Sequence, residues 1–151
     1  MISYAQFRKY AMWPVVSNFP TPNLAIQCLS AFVAHESDGG KYLHQVGGGP
    51  ALGPYQMEPA TKRLVDRWVR RDDGTPMWGK EVYFQAPVDE LMTDMKCATW
   101  YARVLLLADP YPLPKLNDED GVWATYRRVW GPGKPPTKAH FLEKAAAWRR
   151  T

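Results

Sequence analysis

Between Val88 and Leu107 the apolar side chains step by four and three residues, with Leu91, Met95, Ala98, Ala102 and Leu105 along one stripe. That interval matches the turn of an α-helix and not the alternation of a strand. The spacing predicts a long helix over 88–107, the central core helix of a mainly α chain. Its connector, Asp109-Pro110-Tyr111-Pro112-Leu113-Pro114, is rigid, because each proline fixes its own φ and disfavours helix in the residue before it.

Proline and glycine delimit the remaining elements. Pro20 and Pro22 precede a helix predicted over 23–37, with Ala25, Leu29, Phe32, Val33 and Glu36 on one face. A glycine-dense stretch from Asp38 to Pro54 then predicts a tightly turned loop with a short β-hairpin, the place for the lip of a cleft. A second helix is expected to begin near Pro59, carry Leu64, Val65, Trp68 and Val69, and end at Asp72-Asp73-Gly74. The segment from Trp78 to Pro87 reads as irregular. Further helices are expected over 118–129, with Val122, Trp123, Tyr126 and Val129 inward, and over 138–150, capped by Thr137. The expected whole is one domain over 1–151, mainly α with a small β element, and a monomer.

The 151 residues suffice to bury a core without staples. Cys28 and Cys97 stand outside any metal-binding spacing and read as small buried hydrophobes. His35, His44 and His140 lack the HExxH pattern and a suitably spaced partner, so no metal or other cofactor is expected. Ser30 and Ser37 lack the context of a serine hydrolase. The net charge of +4 favours anionic surroundings, but the basic pairs Arg70-Arg71, Arg127-Arg128 and Arg149-Arg150 are too sparse for a nucleic-acid footprint. The N-terminus lacks a continuous apolar core and cleavage site, and no stretch is long enough to span a bilayer, so a soluble, unprocessed chain is expected. Lys144, Trp148, Arg149 and Arg150 near the C-terminus suggest a surface for an anionic envelope.

Glu36 carries the chemistry of interest. An acid that protonates a glycosidic oxygen must hold its proton near neutral pH, which burial and the negative end of a helix dipole both favour. Glu36 has both features in prospect, at the C-terminal end of an apolar stripe. Helix position alone also suits an ordinary solvated glutamate at a frayed end.

Three segments in order tilt that balance. Phe32-Val33-Ala34-His35-Glu36-Ser37 resembles the "ES" helix end of the lytic transglycosylase and goose-type lysozyme superfamily. Gly53-Pro54-Tyr55-Gln56-Met57-Glu58-Pro59-Ala60-Thr61 resembles that superfamily's "GLMQ..PAT" motif. Ala124-Thr125-Tyr126 followed by Gly131-Pro132-Gly133 resembles its "AYNAGPG" motif. Pro54-Tyr55 replaces Leu-Met, Arg127 stands where the family has Asn, and two extra residues precede Gly-Pro-Gly.

The resemblance implies an α+β lysozyme-like fold and a muramidase that cuts peptidoglycan between N-acetylmuramic acid and N-acetylglucosamine. It further implies Glu36 as the catalytic acid, with Gln56, Tyr55, Tyr126 and Ser37 contacting substrate or lining its cleft. Gln56 also reads as a turn-stabilising amide, and Tyr126 as a core tyrosine. Two mechanisms remain open. A lytic transglycosylase needs Glu36 alone, acting as acid and then as base, while the sugar's own hydroxyl closes an anhydro ring. An inverting hydrolase needs a second carboxylate roughly 6.5–9.5 Å away. Glu58 is the candidate, matching goose-type lysozymes in its position two residues after the glutamine, and Asp38 is a weaker one. Family usage points to a bacteriophage endolysin or virion-associated enzyme, made in the host cytoplasm and acting on the wall. The alternative is a non-catalytic wall-binding or virion structural module with the same shape.

Overall fold

The computed structural model describes residues 2–70, 83–131 and 133–151. The N-terminus opens with α1 (Tyr4–Phe7), a π-helical turn (Arg8–Met12) and α2 (Trp13–Val16). All of their junctions keep helical backbone angles, so the segment runs as one rod. Its inward side buries Phe7, Ala11, Met12, Val15 and Val16.

Helix α3 (Pro22–Glu36) starts on a proline, whose missing N–H leaves no unmet donor at a first turn. It is buried nearly all round, from Ala25 and Ile26 to the run Cys28–Ala34, and not only along the expected face. Helix α4 (Pro59–Val69) likewise begins on proline. Its buried side is Lys62, Val65, Asp66 and Val69, whereas Leu64 is 56% and Trp68 40% exposed. Lys62 and Asp66 are tolerated inside because they pair at 2.9 Å, and the Tyr101 hydroxyl donates to Asp66 at 2.6 Å.

The long helix expected over 88–107 is two helices, α5 (Glu90–Thr93) and α6 (Met95–Ala108). Asp94 separates them in extended conformation, and its carboxylate accepts from the N–H groups of Lys96 and Cys97. A short acceptor side chain that caps the following turn competes with continuation of the preceding one. The centre of the molecule is shared, since α3 packs against α2, α6, α7 and α8 while α6 packs against α2, α3, α4 and α5. Helices α7 (Glu119–Val129) and α8 (Lys138–Arg149) follow, capped by Asp118 and Thr137.

The fold is mainly α. In the glycine-rich segment two isolated antiparallel bridges, His44 with Leu52 and Leu52 with Met57, stand where a hairpin is expected. No strand occurs among the described residues. Cys28 and Cys97 are buried and unpaired. No helix among the described residues is long and apolar enough to cross a membrane. The expected helix end at Asp72-Asp73-Gly74, the first part of the irregular stretch from Trp78, and Pro132 lie outside the described residues.

Candidate active site

Glu36 is the last residue of α3, one turn beyond the fully buried Phe32. The Phe32 ring packs 5.5 Å from Tyr126 and 4.8 Å from Trp130, so α7 and its end close over the end of α3. The Tyr126 hydroxyl donates to Glu36 Oε1 at 2.7 Å. That bond lowers the carboxyl's proton affinity, but desolvation outweighs it and pushes the pKa up to about 7. Tyr126 is itself held by stacking on Phe141 at 4.5 Å and on Trp123 at 5.8 Å.

The carboxylate opens on a cleft of about 590 Å³. Gln56, Glu58, Thr61 and Tyr42 line it with polar groups, and Met57, Leu105, Val129 and Trp130 with apolar ones. Gln56 lines the cleft and stabilises a turn at once. Its backbone sits at φ +47°, and its amide nitrogen donates to the carbonyls of Gly53 at 2.8 Å and Tyr42 at 3.2 Å while the residue lines the cleft. Glu58 is exposed on the same cleft, at the residue that precedes α4.

Three of the expected substrate-contacting residues are buried behind the cleft, among them Tyr126, which is 0% exposed and reaches the site only through its bond to Glu36. Tyr55 is 1% exposed, and its hydroxyl pairs with Thr99 Oγ1 at 3.0 Å inside the core. Burial pushes that phenol's pKa upward. Ser37 is 0% exposed. Its hydroxyl reaches the Pro54 carbonyl at 2.7 Å and accepts from the Gly40 N–H at 2.9 Å. It thereby ties the end of the Glu36 helix to the loop that presents Gln56. Tyr55 and Ser37 both shape the cleft from behind.

Asp38 is also diverted from the cleft, because Lys144 pairs with it at 2.7 Å and holds its carboxyl below the usual range. The other residues suggested for envelope contact are similarly engaged. Trp148 is buried with its indole N–H on the Ile2 carbonyl, and the Arg149 guanidinium lies on the Gln27 carbonyl. Arg150 remains exposed.

Sequence reasoning missed two features. Trp130 forms part of the cleft wall and donates its indole N–H to the Tyr55 carbonyl at 2.9 Å, bridging the second and third motifs. An aromatic four residues after Tyr126 on a helical face was the available signal. His35 packs half-buried at 5.6 Å from Tyr126 and 5.8 Å from Phe141. Burial lowers its pKa, with His140 and Lys144 acting in the same direction. Among the described residues no group of three or more His, Cys, Asp or Glu side chains is placed to hold a metal ion.

Glu36, Gln56 and Glu58 therefore meet at one cleft, with Tyr126 bonded to Glu36 from the core behind it and a carboxyl group able to hold or release a proton near neutral pH. No protein-family model matches the chain, and no curated protein or solved structure is significantly similar to it.

Proposed function

We propose that this protein cleaves the glycan strands of bacterial peptidoglycan, with Glu36 as the general acid. The observation that carries the reading is the half-buried Glu36 carboxyl, raised to about 7 and gripped by Tyr126 at the wall of an open cleft. Protonated, it donates to the glycosidic oxygen as the bond to the anomeric carbon breaks. In one route the resulting carboxylate then takes a proton from the sugar's own hydroxyl, which closes an anhydro ring; in the other a second carboxylate takes the proton from a water that attacks the anomeric carbon from the opposite face. The second route calls for a partner, and Glu58 is the carboxylate available on the same cleft.

The lysozyme-like identity of the fold belongs to the same proposal. It is supported by the convergence of the end of α3 and the bridged glycine-rich segment on one cleft, with Tyr126 bonded to Glu36 from behind. A bacteriophage origin and action on the cell wall rest on the motif resemblance and the positive net charge.

The decisive variant is Glu36→Gln. It keeps an acceptor for Tyr126 but has no proton to give, and release of soluble fragments from purified peptidoglycan should fall at least about a thousandfold in a folded protein. Retained clearing would refute the assignment. Mass spectrometry of the wild-type digest separates the two routes, anhydro ends meaning Glu36 alone and reducing ends directing attention to Glu58. Wall binding with no fragments released by the folded wild type would identify a non-catalytic module.

A further inference from the structure

We infer that the outward face of the N-terminal helical segment is a docking surface for an anionic lipid bilayer. The inward face of Tyr4–Val16 is already buried, so the helix is held in place by the protein itself. The opposite side presents Arg8, Lys9, Tyr10 and Trp13, with Tyr10 62% and Trp13 42% exposed. The Arg8 guanidinium lies 5.7 Å from the centre of the Trp13 ring, and the Lys9 ammonium 5.0 Å from that of Tyr10.

The π-helical turn makes the first of these pairs. In a regular α-helix, residues five apart point about 140° away from each other. Here the Trp13 N–H bonds to the Arg8 carbonyl, so the widened turn brings the two side chains together.

Charge singles out the occupant. Neither Arg8 nor Lys9 has an ion-pair partner among the described residues, and no Asp or Glu precedes Glu36 in the sequence. Lys96 extends the basic character along a groove shared with Tyr10, where the Asp94 carboxylate is turned to backbone N–H groups. Tryptophan and tyrosine combine an apolar body with a polar tip and settle at headgroup depth, while Lys and Arg meet lipid phosphates. A nucleic acid would call for a denser row of cations. A rigid, partly aromatic face with a few cations matches the interface of a membrane carrying acidic lipids.

Co-sedimentation of the intact protein with vesicles of phosphatidylcholine containing about 30% phosphatidylserine tests this, with pure phosphatidylcholine as reference. Wild type should bind the acidic vesicles preferentially. The double variant R8E/K9E should weaken binding about twentyfold or more, at about fivefold per cation, and Trp13→Ala should weaken it severalfold at a salt level that screens the charges. The R63E/K115E variant changes net charge equally at exposed sites elsewhere and should stay within about threefold of wild type on the same scale. Melting curves verify folding of each variant.

Equal loss in the control and patch variants would overturn the docking face in favour of general charge attraction. So would an absence of preference for acidic vesicles. Binding to purified sacculi but not vesicles, abolished by R8E/K9E, would replace the bilayer with a wall polymer. The vesicles contain no glycan, so failure of the Glu36 assignment leaves this result untouched.

Discussion

At the scale of single residues, the raised proton affinity of Glu36 bears on stability and on the proposed activity. The folded carboxyl binds its proton up to about pH 7, whereas an unfolded glutamate releases it near its ordinary value of 4.5. Between those values the native state holds more protons than the unfolded state, so stability falls as pH rises through the window. This contribution is about 2 kcal/mol after allowing for partial exposure. It should vanish in Glu36→Gln, whose melting temperature is expected to gain on wild type as pH rises from 4.5 to above 7. Thermal denaturation across that range checks the sign. Activity should also decline as pH rises through about 7, where the acid loses its proton. Removing the Tyr126 hydroxyl takes away an interaction that lowers the Glu36 pKa. Tyr126→Phe should therefore move the alkaline limb of the pH–rate profile upward while reducing the maximal rate about tenfold through lost positioning.

At the scale of elements, the cleft depends on how the loop after α3 is pinned. Gly53 has φ +76°, and a Cβ built there would lie within contact-forbidding distance of the Leu91 carbonyl oxygen. Gly53→Ala meets both backbone strain and a clash with backbone that has little room to yield. It should cost about 2–4 kcal/mol in urea denaturation and displace Gln56, which bonds to the Gly53 carbonyl, lowering glycan cleavage. The helix break at Asp94 follows a different local rule. Its carboxylate caps α6, and Asp94→Ala should destabilise the protein by about 1 kcal/mol in the same assay. The apolar stripe continues through position 94, so periodicity alone reads as one helix while the cap divides it into two.

At the scale of the whole molecule, the two ends of the chain close on each other. Trp148 of α8 packs 5.4 Å from Tyr4 and 5.6 Å from Phe7, donates to the Ile2 carbonyl, and is 4% exposed. Trp148→Ala should cost about 3–5 kcal/mol in thermal or urea unfolding, as a large buried side chain leaves a cavity. The same arrangement explains why α8 presents less to an envelope than its composition suggests. Its tryptophan fills a core, and Lys144 is paired with Asp38. The exposed cations and aromatics gather instead on the N-terminal rod, at Arg8, Lys9, Tyr10 and Trp13.

Local chemistry determined much of this protein from sequence alone. Proline starts, the Thr137 cap, and three- and four-residue stripes marked most of the helices, and the position of Glu36 at the end of α3 followed from them. Sequence order also paired Glu36 with Gln56 and Tyr126 through the motifs they resemble. Only the tertiary structure decided which side chains of those motifs face the cleft. Tyr55 and Ser37 stand beside residues that line it, yet their polar tips are met by Thr99 and by the Pro54 carbonyl. Polar groups go where their hydrogen bonds can be completed, and those partners lie 44 and 17 positions away. The raised proton affinity of Glu36 is likewise a tertiary property. It arises from desolvation where Phe32, Tyr126 and Trp130 close around the end of the helix, and burial of that kind is created by chain segments meeting in space.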